Sequence, residues 1–453
     1  MLENNDRDNE VMDIKDKCSH SQISEGIKVL FVPTTDRDCE MFVALMNNLT
    51  NASIRTISLD NIYAIGDGTA YKLEYFGIPY TRIDPEDKIL SVFEEINPSI
   101  LVVSNDGSVI ERSFVLVANK LGIPTLLIQV GCFSSCKGSR TFGRMLKGLK
   151  SNLLKIAFDK GVLKTWYTKY SILIMTLISI NDKRNIGAVV SFLRMVTKDS
   201  LSNDERGKYC KYVCVSSNYD RNTLISKGVD PSNILVTGSP KYSKINNADY
   251  NDLDIRKHLD LTDERKIVIF LTPSLADHGC MTKSNSDRQI KNTIKQLVSL
   301  ESVHVIVKVH PNESKEDYID LLKDYSDNLT FVKHEIELYS LMHIANLIIA
   351  INSTCIVEAI IMGKQVVNLN YIADAVAPEI QGYDLIRCVY DIDDLANQVN
   401  ECLNNPDEVE YFYRMRDNFF SAYSSLSPEN DGAKEIAKLM ERITHAVTVP
   451  SDL

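Results

Sequence analysis

The sequence predicts an α/β protein built as two successive open domains, each around a parallel sheet. Short runs rich in Val and Ile recur with longer helix-forming stretches between them, the rhythm parallel strands impose because each right-handed crossover needs a helix. Those runs show little polar alternation, as strands covered on both faces do. The length, 453 residues with 44% hydrophobic and 25% charged, gives room for two or three such domains.

Residues 1–25 are polar and lack the basic start, apolar core and small-residue cleavage site of a signal peptide, so they read as a disordered tail. The first domain, 26–245, carries strands expected at 27–32, 53–58, 100–103, 125–129, 212–215 and 234–237. A helical, basic insertion at about 143–207 interrupts it. The polar linker 246–254 opens the second domain, 246–410, with strands expected at 266–271, 303–309, 329–332, 347–351, 366–369 and 387–390. Helical stretches separate these strands, for example 287–300 and 315–325. Residues 411–453 form a C-terminal segment of helices and tail, helical over 408–445.

The formal charge of -11, from 61 acidic against 50 basic residues, excludes a global nucleic-acid surface. Ten cysteines scattered along the chain do not pair as a disulfide framework or a metal finger, and the longest apolar run, 172–180, is too short to span a bilayer. A cytoplasmic protein is the expectation. Against the acidic whole, residues 143–184 hold nine Lys and Arg and two acids, Asp159 and Asp182. Interleaved Leu146, Leu149, Leu153, Ile156, Leu163 and Trp166 suit an amphipathic helix that meets an anionic membrane face or a polyanionic acceptor, or one that packs on its own domain with its lysines solvated.

Four stretches can carry chemistry. In 303–313 a buried strand delivers Lys308 and His310 to its carboxyl end, where Pro311 stops it; open α/β sheets bind ligands at that edge, and a cation beside an imidazole suits a phosphate. His310 also reads as a plain strand cap. In 347–359 an apolar strand runs into Asn352, Ser353 and Thr354, helix-capping residues ahead of free backbone N–H groups that favour phosphate. Glu358, just over one turn beyond Ser353, can accept from ribose hydroxyls; capping by Ser353 and a solvated Glu358 is the plainer reading. The turn Gly238-Ser239 closes the first domain, and Thr272 and Ser274 sit at another strand tip.

Taken together, the two α/β domains, the Val-Thr-Gly-Ser-Pro-Lys-Tyr junction at 236–242, the strand ending His310-Pro311 and the Asn352-Ser353-Thr354 helix start followed by Glu358 resemble GT-B glycosyltransferases. Within these the chain is similar to the surface-polysaccharide branch, including CDP-glycerol glycerophosphotransferase-like and polysialyltransferase-like proteins. It implies two Rossmann-like domains facing across a cleft and transfer of a sugar or polyol phosphate from a nucleotide-activated donor to a glycan or lipid-linked acceptor. No metal and no tightly bound cofactor are implied, and nucleic acid is not a partner. His310 and Pro311 would lie by the donor phosphates, with Thr272, Ser274, Lys308, Asn352, Ser353 and Thr354 as phosphate-binding groups and Glu358 on the ribose. The inner membrane face is a place such an enzyme would work, and its last helices would cross back onto the first domain.

This chain has Gln129-Val130-Gly131 where those relatives often carry a His, so the general base passes to Asp106 of Ser104-Asn105-Asp106-Gly107, an acid equally at home as a structural turn residue. Two alternatives stand beside the transferase. One is a non-hydrolysing UDP-N-acetylglucosamine 2-epimerase, whose Gly-Gly before the helix is missing from 352–355. The other is a non-catalytic nucleotide-sugar-binding subunit of a polysaccharide assembly.

Overall fold

The computed structural model describes residues 26–33, 36–59, 73–74, 76–84, 88–129, 160–180, 206–243, 245, 250–261, 264–276, 281–311, 313–351, 353, 355–370, 380 and 383–448. The tail 1–25, most of the basic insertion, and Val130, Asn352 and Thr354 lie outside them. The chain divides into two compact units, Met1–Ser243 with Asp431–Leu453, and Lys244–Asn430.

The first unit holds β1 (Ile27–Val32), α1 (Asp36–Met46), β2 (Ala52–Ser58), β3 (Tyr80–Arg82), α2 (Ile89–Ile96), β4 (Ile100–Val103), α3 (Val109–Lys120), β5 (Thr125–Ile128), α4 (Lys160–Ile180), β6 (Tyr212–Val215), α5 (Asn218–Ser226) and β7 (Ile234–Val236). Its strands form one parallel sheet in the order β3-β2-β1-β4-β5-β6-β7. Successive strand residues face opposite ways, so both faces must be covered when all are apolar. Val29 and Phe31 of β1 enter one core with Phe42 and Met440, while Leu30 and Val32 enter the other with Ile110 and Phe114. The edge strand β3 escapes a reading of apolar runs because its three residues are Tyr, Thr and Arg, none of them buried.

The second unit holds α6 (Asp252–His258), β8 (Lys266–Leu271), α7 (Lys283–Val298), β9 (Val303–Lys308), α8 (Lys315–Leu322), β10 (Leu329–Val332), α9 (Leu338–Ile344), β11 (Leu347–Ala350), α10 (Cys355–Ile361), β12 (Gln365–Leu369), β13 (Ile386–Val389), α11 (Leu395–Asn404) and α12 (Pro406–Ala422). Its parallel sheet runs β10-β9-β8-β11-β12-β13. Side-chain caps fix several helix starts by filling orphan N–H groups: Thr282 accepts from Asn285 N–H, Ser314 from Asp317 N–H and Glu337 from Tyr339 and Ser340 N–H. Asp391 caps the short 3-10 turn Ile392–Asp394 in the same way.

The last helix, α13 (Gly432–Thr448), belongs to the first unit, where Ile436 and Met440 enter the core beneath β1 and α1. Its first residue must be glycine: a Cβ there would come within 2.8 Å of backbone atoms of Gly238 and Ser239. Ser243, the last residue before the chain leaves this unit, donates its hydroxyl to Asp431 at 2.6 Å, the residue at which it returns, and accepts from Ala433 N–H.

Candidate functional site

In each sheet the first strand lies between the second and the fourth, so the helical connections leave its two sides in opposite directions and open a crevice at the carboxyl ends of that strand pair. In the second unit those strands are β8 and β11. Thr272 and Ser274 follow β8, Lys308, His310 and Pro311 end and follow β9, and Ser353 follows β11, so these six residues sit at the carboxyl ends of three adjacent strands.

A hydrogen-bond chain fixes this edge. The Thr272 hydroxyl, in a residue 5% exposed, accepts from His310 N–H at 2.7 Å and donates to Glu313 Oε2 at 2.5 Å. Glu313 Oε1 accepts from Tyr318 Oη of α8 at 2.8 Å, and Glu313 N–H donates to His310 O at 2.9 Å. The bend that carries the half-buried His310 is thereby tied to the tip of β8 and to α8, with Pro311 exposed at its apex. Burial, then the Glu313 charge, pushes the Tyr318 phenol far above its ordinary value, so it stays a donor. Glu313 and Tyr318 were not singled out from sequence; the signal was the acid three residues after His310, which reads as an ordinary loop residue until its partners are seen. Ser274 is fully buried at φ 50°, a backbone shape that L residues seldom adopt.

Lys308 is turned to the protein itself. Its ammonium donates to the carbonyl oxygens of Lys333 and of Ile336, the latter at 3.0 Å, so it braces the 333–337 loop that follows β10. Burial lowers its pKa, opposed by Glu337, Glu335 and Cys355. In that loop burial would raise the Glu335 carboxyl, but the Lys315 ammonium and backbone N–H groups outweigh it and hold it at about 2.

At the third tip Ser353 caps α10, accepting from Cys355 N–H at 3.2 Å. The helix spans seven residues. Glu358, in the first turn of α10, is 2% exposed, which corrects the solvated-helix reading.

In the first unit the edge is occupied by internal bonds. Asp106 is fully buried; its Oδ1 accepts from Gly207 N–H at 2.7 Å and its Oδ2 from Tyr209 and Cys210 N–H at 2.9 and 3.1 Å. Burial raises its pKa, with those amides and Arg112 pulling the other way. The acid offered as a base is thus the anchor of the 206–210 segment, because a turn carboxylate facing a run of amides is worth more bound than exposed. Arg112, also fully buried, donates to Gly107 O at 2.5 Å and lies 4.8 Å from the Tyr209 ring centre. Ser104 donates to Asp38 Oδ2 at 2.6 Å, and Gln129 Oε1 accepts from Ser216 N–H at 2.8 Å. Gly238, at φ 83°, and Ser239, which caps the Pro240–Tyr242 turn, form the seat of α13 described above. Among the described residues no group of three or more His, Cys, Asp and Glu is placed to hold a metal ion, and no helix is long and apolar enough to cross a membrane.

With this geometry the chain can be set beside known proteins. Residues 206–425 match the family model described as UDP-N-acetylglucosamine 2-epimerase. The fold is that of S. aureus MnaA solved with UDP, at 12% identity, covering 94% of this chain and 100% of that one with a TM-score of 0.57. It is also that of the UDP-GlcNAc 2-epimerase from Neisseria meningitidis bound to UDP-GlcNAc, at 14% identity, 92% and 100% coverage and TM-score 0.54. A glycosyltransferase from Rickettsia africae ESF-5 shares it at 12% identity, 93% and 99% coverage and TM-score 0.52. No curated protein matches. The two units therefore have the GT-B-like fold common to UDP-sugar epimerases and glycosyltransferases, while neither the CDP-glycerol branch nor the polysialyltransferase branch is among these likenesses.

Proposed function

We propose that this chain is an enzyme acting on a nucleotide sugar, holding the UDP part of a UDP-N-acetylhexosamine at the carboxyl edge of the second sheet and inverting the sugar at C2. The observation that carries the reading is the family match over 206–425, which takes in Thr272, His310, Ser353 and Glu358 together. The architecture supports it: the β8–β11 crevice is where open sheets take nucleotides. In this proposal His310 faces the diphosphate, the Ser353 hydroxyl and the amides beyond it meet phosphate oxygens, and Glu358 accepts from the ribose. Transfer to a glycan or lipid-linked acceptor is the second reading, favoured by the missing Gly-Gly ahead of α10.

The test is calorimetric titration with UDP, followed by proton NMR of UDP-GlcNAc incubated with the protein. Binding of UDP, weakened at least tenfold by Glu358→Gln, and growth of the C2 epimer are the expected results. UDP release that needs an added acceptor would replace epimerisation with transfer. No binding of UDP would overturn both readings.

A further inference from the structure

The amino edge of the second sheet, opposite the carboxyl edge described above, carries a cavity of about 150 Å³. Lys266, Asn346 and Gln365, at the amino ends of the adjacent strands β8, β11 and β12, line it from the sheet, and Leu403, Val409 and Tyr413 line it from α11 and α12. Since β8 is six residues long, Lys266 lies about 20 Å from the tip that carries Thr272. Lys266 Nζ donates to Leu403 O and to Asn404 Oδ1, the latter at 2.9 Å, which caps the end of α11 and leaves one of the three N–H groups of the ammonium. Asn346 Oδ1 accepts from Ile267 N–H at 2.8 Å, so the NH2 is the end of that amide left to face a ligand. The Gln365 side chain hydrogen-bonds to none of the described residues. Tyr413 Oη, by contrast, is used on Gly363 O at 3.3 Å. No carboxylate lines this cavity, and among the described residues none pairs with Lys266.

We propose that this cavity binds a small organic carboxylate, at a site separate from the nucleotide edge. An ammonium with no acid beside it and two amides with donors to give select an acceptor that carries negative charge. One cation matches one negative charge, which favours a carboxylate over a phosphate dianion. Val409 and Tyr413, four residues apart and so on one face of α12, join Leu403 in supplying apolar surface for a short hydrocarbon or aromatic body. A space of about 150 Å³ takes a molecule of about the size of benzene.

The probe is benzoate, titrated calorimetrically into the full chain, with benzamide, its neutral counterpart of similar shape, beside it. Saturable benzoate binding, at least about tenfold tighter than that of benzamide and unchanged by saturating UDP, is expected. Gln365→Leu removes an amide that holds nothing in the fold, so it should weaken benzoate by at least about tenfold with no fall in melting temperature. Lys266→Met should weaken benzoate as much, and should also lower the melting temperature through the lost cap on α11. Absence of saturable benzoate binding, equal affinity for benzamide, or undiminished binding by folded Gln365→Leu overturns the proposal. So does displacement of benzoate by UDP, which assigns the anion to the nucleotide edge.

Discussion

Replacing Thr272 with Val keeps the shape of the side chain and removes only its hydroxyl, so it isolates the bond chain at the tip of β8. Two partners lose their match: His310 N–H, held at 2.7 Å, and Glu313 Oε2, which accepts at 2.5 Å. A stranded buried group costs about 1–3 kcal/mol, more when charged. Glu313 retains Tyr318, and the half-buried bend admits some water, which brings the sum to about 2–3 kcal/mol. For a unit of this size that is a fall in melting temperature of roughly 4–12 °C. Scanning calorimetry of the wild type, Thr272→Val and Thr272→Ser measures it, the serine variant serving as the one that keeps the hydroxyl. Because the same bonds aim His310, Thr272→Val should also weaken UDP binding and Thr272→Ser should restore it. A valine variant as stable as the serine variant would refute the claim that this hydroxyl organises the edge.

Two further outcomes follow from local geometry. Gly432→Ala puts a methyl 2.8 Å from the Gly238 and Ser239 backbone, which has no flexible end to yield, so urea unfolding should show a loss of about 1–3 kcal/mol and limited proteolysis should release α13 more readily. Glu335 has its carboxyl lowered from 4.5 to about 2 in the folded chain, so its contribution is complete above pH 4.5 and is lost as pH falls toward 2. Lys315→Ala removes the principal partner and should make stability depend less on pH in that interval, by a small amount given the exposure of both side chains; an unchanged acid limb in urea titrations at pH 6 and pH 3 would count against the pair.

Strand positions were legible because a doubly covered strand has to be apolar throughout. The runs at 27–32, 100–103, 212–215 and 266–271 coincide with β1, β4, β6 and β8, and 329–332 coincides with the edge strand β10, of which only Leu329 and Val332 are buried. Tyr80–Arg82 was not, since this edge strand has three residues, none of them buried, and carries no apolar run. The same limit governs the site. That Lys308, His310 and Ser353 come to one edge follows from strand ends and sheet order, both readable in principle. What each side chain does there depends on partners brought from afar: Lys308 meets carbonyls 25 and 28 residues on, and Asp106 meets amides more than 100 residues on. No local spacing encodes such pairings, so a lysine that braces a loop and a lysine that binds phosphate look alike in sequence.

The contrast between the two sheet edges bears on where chemistry can occur. At the first unit's edge the polar side chains of Asp38, Gln129 and Asp106 are bound into the scaffold: Asp38 to Ser104, Gln129 to Ser216, and both oxygens of Asp106 to the 206–210 amides. A carboxylate so satisfied is held against movement toward a substrate, since leaving the amides abandons about 1–3 kcal/mol for each charged bond given up. At the second unit's edge the corresponding bonds run mainly through backbone and through Thr272, Glu313 and Tyr318, a support layer that fixes the bend while His310 remains half-buried. A rigid support beneath a less buried titratable group is what preorganised binding of a charged ligand demands. The physical asymmetry therefore favours the second unit as the seat of the proposed nucleotide recognition, with Asp106 serving as the anchor of the 206–210 segment.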